Sequence, residues 1–261
     1  MHSALWVSKS GLEAQDIALT TVSNNLANVA TTGFKKDRAV FEDLLYQIQR
    51  QPGANSSADS RLPSGLQLGT GVRTAGTQKV FTTGSLQLTD QPLDMAVNGR
   101  GFFQITMPDG SISYTRDGTF HLNAEGVVVN VNGYPLEPQI TVPEQTNQLT
   151  ISKDGIVSAT EFNNPTPVEL GQVELVDFIN PAGLQATGGN LFKETAASGA
   201  PQVGIANENG FGSVEQGALE NSNVEVVEEL VHMITVQRAY EMNSKVVSAA
   251  DQMLQFITQN T

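Results

Sequence analysis

The sequence predicts an α+β protein: a discontinuous helical domain made from the two chain ends, and an antiparallel, hairpin-rich β domain between them. Three observations carry this. Apolar residues recur every seven positions at both termini, the spacing of a single stripe on a helix. All eleven prolines lie between Pro52 and Pro201, and no glycine follows Gly217. Turn-forming pairs that end in glycine punctuate the middle at short intervals, a strong short-range sign of hairpins. The expected divisions are 1–34 for the N-terminal helix, 35–76 for an extended linking arm, 77–219 for the β-rich domain and 220–261 for the C-terminal helix.

At the N-terminus, Leu5, Leu12, Leu19 and Leu26 form the stripe, with Val22 and Val29 beside it. Gly11 weakens this helix by about 1 kcal/mol relative to alanine. Ser10 with Glu13 offers a second possible start as a capping box. Thr31, Thr32 and Gly33 stop the run, and Gly33 suits a left-handed cap. Asn24, Asn25 and Asn28 put three poor helix formers into five positions. Two readings stay open: fraying before Gly33, or amides buried between packed helices, where they fix register.

Phe41, Leu44, Leu45 and Ile48 have helical spacing. Gln51 to Gly65 is polar and broken by Pro52, Gly53 and Pro63, so it reads as a loop or extended arm; connections of that length are often functional. In the middle, Asp109-Gly110 separates Phe102–Thr106 from Ser111–Thr115, and Asp117-Gly118 precedes Thr119–Leu122. Glu125-Gly126, Asn132-Gly133 and Asp154-Gly155 punctuate further short strands. For the Asx-Gly pairs, both turn residues are expected at positive φ. Such regular spacing suggests a sandwich or barrel. Residues 183–212 read as loops with one or two weak strands.

The C-terminal stripe is Val226, Met233, Tyr240, Val247 and Leu254, with Val236, Ala250 and Ile257 on the offset seam and Ala239, Val246 and Met253 widening it. Ser222 with Glu225 reads as a capping box, and Glu225, Glu228 and Glu229 suit the positive end of the helix dipole. A helix of this extent is roughly 50 Å long, too long for one small core to cover. The simplest account is that the two terminal stripes cover each other at least in part, antiparallel.

A net charge of −13 argues against a broad nucleic-acid surface or anionic-lipid docking. The absence of cysteine excludes disulfides and thiolate zinc sites. Met1 to Ser10 shows no cleavable secretory signal, and no stretch reaches the ~20 apolar residues of a membrane span. His2, His121 and His232 lie in three different elements and read as structural or surface residues. The Asp-Gly pairs lack a calcium-loop ladder. Gly99-Arg100-Gly101 and Gly69-Thr70-Gly71 are incomplete phosphate-loop patterns. Neither G-x-S-x-G nor H-E-x-x-H occurs, and no carboxylate pair stands out. No catalytic residue, metal or cofactor is therefore expected.

Four ordered motifs, spread over nearly the whole chain, carry a resemblance. Ser23-Asn24-Asn25-Leu26-Ala27-Asn28-Val29 with Thr31-Thr32-Gly33-Phe34-Lys35 closely resembles the N-terminal signature of the bacterial flagellar rod and hook proteins. Leu93-Asp94-Met95-Ala96-Val97 with Gly99-Arg100-Gly101-Phe102-Phe103 resembles their middle motif, and Tyr114-Thr115-Arg116-Asp117-Gly118 with Phe120 follows in order. Glu229-Leu230-Val231, Met233-Ile234 and Gln237-Arg238-Ala239-Tyr240-Glu241 are similar to their C-terminal signature. Val40 to Tyr46, then Gln51-Pro52-Gly53-Ala54 and Leu62-Pro63-Ser64-Gly65-Leu66, resemble the segment that marks the distal-rod branch. The start, Met1-His2-Ser3-Ala4, departs from the more apolar one expected.

The resemblance implies a subunit exported unfolded through the flagellar type III apparatus without a cleaved signal. It implies self-polymerisation into a rigid tube that crosses the periplasm, carries torque from motor to hook and forms part of the export channel. Terminal helices would line the tube. Tyr46, Gln51, Pro52, Gly53, Leu62, Pro63 and Gly65 would lie in a segment bridging adjacent subunits. Proximal rod proteins, hook subunits or junction, and the P- and L-ring bushing are the implied partners. Rival readings are a proximal rod or hook subunit and, outside the family, an extracellular carbohydrate-active β protein or a coiled-coil adhesin.

Overall fold

A computed structural model describes residues 3–53, 55–57, 60–61, 63–162 and 164–259. Two helices bracket the chain: α1, Ser3–Ala27, and α2, Val226–Gln259. The first runs straight through Gly11. Its Ser10 hydroxyl donates to the Val7 carbonyl (2.8 Å) instead of capping a new start. α1 ends at Ala27, six residues before Gly33, so Gly33 is not its cap. Thr31 N–H donates to the Asn28 carbonyl (3.1 Å) in the turn beyond. At the other end, Glu229 N–H donates to the Glu225 carbonyl (3.0 Å), which places Glu225 at the cap position of α2. The Ser222 hydroxyl accepts from Val224 N–H (3.3 Å) before the helix begins, so it is not part of a capping box. Glu228 and Glu229 do occupy the first turn.

The described residues group into two units. One holds 1–27, 37–78 and 225–261; the other holds 28–36 and 79–224. In the first, the stretch expected to be an arm with helical spacing at Phe41 to Ile48 is paired strand. Asp37–Asp43 pairs with Val72–Lys79, and Tyr46–Arg50 pairs antiparallel with Leu66–Gly69 in a register that sets Tyr46 opposite Gly69. The local chemistry explains it. Val40, Phe41, Tyr46 and Ile48 are strand formers, and each ladder satisfies backbone groups that a loop would leave to water.

The second unit is β-rich, with a short 3-10 helix at Pro181–Gly183. Its largest sheet has the order Leu136–Glu137, Phe103–Thr106, Ile112–Thr115, Leu191–Lys193, Gln185–Gly188, all antiparallel. A three-stranded meander follows, Thr146–Ile151, Ile156–Glu161 and Asn164–Gln172. Met95–Asn98 pairs with Ser213–Gln216, Leu86–Leu88 with Ala218–Glu220, and Glu174–Asp177 with Gln202–Ile205. Residues 183–212 therefore hold three strands, two of them in the main sheet. Leu191 and Phe192 are buried there, an apolar pair that glycine- and alanine-rich flanks concealed.

Four connections share one geometry. The N–H of Gly110, Gly126, Gly133 and Gly155 donates to the carbonyl three residues back, on Met107, Asn123, Asn130 and Ser152. The N–H of each of those residues donates to the carbonyl four residues on. Only the glycine has positive φ, from 76° to 82°. This is a type I turn closed by a left-handed glycine, rather than a turn with both central residues left-handed. The residue three before the glycine often locks it: Asn123 Oδ1 accepts from Glu125 and Val127 N–H, both at 2.9 Å, and Asn130 repeats the pattern.

Successive strand residues face opposite ways, and Phe102-Phe103 exploits this. Phe103 enters a cluster with Met95, Val97, Ile105, Phe120 and Leu175. Phe102 enters a second cluster with Tyr114, Val176, Phe178 and Phe192, where rings meet edge to face at 4.8–6.1 Å.

Candidate assembly surfaces

In the helical unit, α1 and α2 lie alongside each other. Asn25 Nδ2 approaches Glu229 Oε1 at 3.4 Å, and a Cβ at Gly11 would stand 3.0 Å from Asn243 Nδ2. Both points are fourteen residues apart on each helix and run in opposite directions, so the pair is antiparallel and in step. The buried residues of α1 are Ser8, Ala14, Ala18, Thr21, Val22 and Asn25. Leu5, Leu12, Leu19 and Leu26 are only half-buried at its flank. On α2, Glu229, Val236 and Ala250 are buried; Met233, Val247 and Leu254 are half-buried; Val226 and Tyr240 are exposed. Val22, Val236 and Ala250, read on the neighbouring seams, are buried as expected, whereas the principal heptad positions are not; the seam runs through small residues beside those heptads. Alanine and glycine let the backbones approach, and the leucines cover the edges. Ile257's side chain lies outside what is described.

Asn25 is buried, whereas Asn24 is exposed and Asn28 lies beyond the helix. Asn25 Nδ2 donates to the Asp37 carbonyl (2.8 Å) and Oδ1 accepts from Asp37 N–H (2.8 Å). The amide therefore reads both backbone groups of one residue, pinning the Asp37–Asp43 strand to α1. Among the described residues, Glu229 Oε2 has no hydrogen-bond partner.

α2 has a second apolar face. Val227, Val231, Ile234, Met242, Val246, Met253 and Phe256 are exposed, Val227 by 74% and Phe256 by 70%. At 3.6 residues per turn they fall within an arc of about 120°, centred on the side away from the buried seam. The hairpin of Tyr46–Arg50 and Leu66–Gly69 is likewise exposed along its length, with Leu45 at 89% and Tyr46, Ile48, Leu66 and Leu68 exposed beside it. Near its end, Gln51, Pro52, Gly53 and Pro63 are exposed, with Gly53 at φ 78°. Gly65 is half-buried, and a Cβ there would collide with the Arg50 carbonyl. Leu62 lies outside the described residues.

The β unit contains a site that charge counting missed. Lys35 and Glu220 side chains are both 0% exposed, with Lys35 Nζ 2.6 Å from Glu220 Oε1. Arg116 Nη1 lies 3.4 Å from Glu220 Oε2 and donates to the Val97 carbonyl (3.2 Å). Its Nη2 donates to the Gly99 carbonyl (2.7 Å), and its guanidinium sits 5.2 Å from the Phe102 ring centroid. Burial pushes the Lys35 amine below its ordinary range, a shift that Glu220 opposes and Arg116 reinforces. Burial lowers Arg116 as well, opposed by Glu220 and Asp177. The only sequence signal was the position of Lys35 and Arg116 inside motifs. Among the described residues no group of three or more His, Cys, Asp or Glu is placed to hold a metal, and no helix is long and apolar enough to cross a membrane.

Comparison with known proteins identifies the family. Residues 5–35 match the model described as flagella basal body rod protein, residues 96–159 the flagellar hook protein FlgE/F/G D1 domain, and residues 215–260 the flagellar basal body rod FlgEFG protein C-terminal. The flagellar basal-body rod protein FlgG of Buchnera aphidicola subsp. Schizaphis graminum is 52% identical over 99% of this chain and 100% of its own. Its namesake in Caulobacter vibrioides is 46% identical over 98% of both chains. A solved structure, the Helicobacter pylori flagellar hook protein FlgE2, aligns over 71% of this chain and 43% of its own at 15% identity and a TM-score of 0.25, a likeness that carries no argument. On the full-length identity to these relatives, the chain belongs to the flagellar basal-body rod protein family.

Proposed function

We propose that this chain, a structural subunit of the bacterial flagellar basal-body rod, polymerises with copies of itself into the rigid, tubular distal rod. The observation that supports the reading most is the second apolar face of α2, which a single chain leaves in water. Burying each such side chain is worth roughly 1.5–3 kcal/mol. The helical unit is the tube-forming domain in this reading, with α1 and α2 packed as one terminal helical domain along the channel wall. The role is mechanical and not catalytic: the rod spans the periplasm, passes torque from motor to hook, and encloses part of the export path. Its partners are further copies, the proximal rod, the hook or its junction, and the P- and L-ring bushing. Export proceeds without a cleaved signal.

The exposed hairpin is the bridge between neighbouring subunits and the source of stiffness. Concentrated protein is expected to grow into cylinders visible by negative-stain microscopy. Met253→Ser with Phe256→Ser should abolish growth while leaving the circular dichroism of the monomer unchanged; cylinders of parental length would sink the reading. Deleting residues 46–65 should give cylinders that bend, and an unaltered persistence length would remove the bridging role.

A further inference from the structure

The cluster of Lys35, Arg116 and Glu220 joins remote parts of the chain. Lys35 lies 185 positions from Glu220, and Arg116 lies 104 from it. Lys35 belongs to the stretch that follows α1, and Glu220 to the stretch that precedes α2. Backbone groups tie the same two stretches together. Gly33 N–H donates to the Glu220 carbonyl (2.7 Å), and Lys36 N–H donates to Asn223 Oδ1 (2.8 Å). A third piece of chain is drawn in. Lys35 Nζ donates to the Thr82 carbonyl (2.8 Å), Asn223 Nδ2 to the Val80 carbonyl (2.8 Å), and Gly84 N–H to Glu220 Oε1 (2.9 Å). The fit is close: Gly33 sits at φ 68°, and a Cβ there would stand 2.6 Å from Asp117 N.

We infer that this cluster is a clamp, housed in the β unit, that fixes the spacing of the two chain segments leading into α1 and α2 whether or not the helices are paired. Every bond in the clamp joins residues of the β unit, so none requires either helix to be folded. The charges make it all-or-none. A buried carboxylate between two cations is tolerated with its partners in place and costly without them, so the two stretches dock together or not at all. This is a property of the single chain and does not rest on the polymer reading.

The test is amide hydrogen exchange, followed by NMR, on the full chain at a dilution where it is monomeric. Gly33 and Lys36 should be protected as strongly as Val128 and Val142, which are bonded within the β unit to the Ile140 and Gly126 carbonyls. Val236→Asp puts a charge into the helix seam. It should strip protection from both helices and leave Gly33 and Lys36 within about threefold of the parent. Collapse of Gly33 and Lys36 along with the helices overturns the clamp. Glu220→Gln should speed exchange at Gly33 and Lys36 by about tenfold or more relative to Val142; an unchanged ratio also overturns it. Should that variant fail to fold, Lys35→Met keeps Arg116 and Glu220 paired. It should raise the same ratio by about threefold, and no rise overturns the proposal.

Discussion

Glu220 faces two cations with its side chain fully buried, so its loss and the loss of a cation are unequal events. Glu220→Gln leaves Lys35 and Arg116 buried without their counter-charge, and a broken buried pair costs about 3–5 kcal/mol. Lys35→Met leaves one carboxylate on one guanidinium, with Gly84 N–H still bonded to Oε1. Urea titration of both variants should therefore show the lysine change to be the milder one. Tyr114, 2% exposed, has its pKa raised by burial and by the nearby Glu194 carboxylate. Above about pH 10 the unfolded chain releases this proton before the folded one does, so stability falls as pH rises through that range. Tyr114→Phe should flatten the fall in a thermal melt series from pH 9 to 11. Residues such as these were hidden in the sequence. A lysine, an arginine and a glutamate far apart in number look like surface charge until the fold brings them together.

Among elements, the helices and most of the glycine-closed hairpins were legible because each is decided locally, by periodicity or by a turn within five residues. The seam was legible only in outline. Heptad spacing pointed to Leu5, Leu12, Leu19 and Leu26, yet close approach of backbones favours Ala14, Ala18 and Gly11, and small residues carry little weight in a hydrophobic pattern. The strands between 37 and 79 were missed because their pairing joins segments well separated in sequence, and short apolar runs fit a helix as well as a strand. Asn25 shows the same limit. Its burial was one of two open readings, but its partner, the Asp37 backbone, belongs to a strand the sequence did not reveal. Asn25→Leu removes both hydrogen bonds between the amide and the Asp37 backbone, each worth about 0.5–1.5 kcal/mol. The Asp37 amide should then exchange faster, in the monomer and before any assembly is attempted.

For the molecule entire, the exposed second face of α2 and the exposed hairpin belong to the same unit. Both are surfaces that one chain cannot cover, while the β unit buries its own core. Prolines and glycines crowd the middle of the sequence and leave the last forty residues free, but Pro52 and Pro63 fall in the helical unit, so their distribution does not trace this division. The sequence did not reveal that α2 is apolar on two sides, because overlapping stripes cancel in any count of one face.

The paired rings of Phe102 and Phe103 have a mechanical corollary. They are anchors set into separate greasy interiors, with a single rigid peptide plane between them. A shear that slides one interior must drag the other. The β unit should thus yield to force as one block.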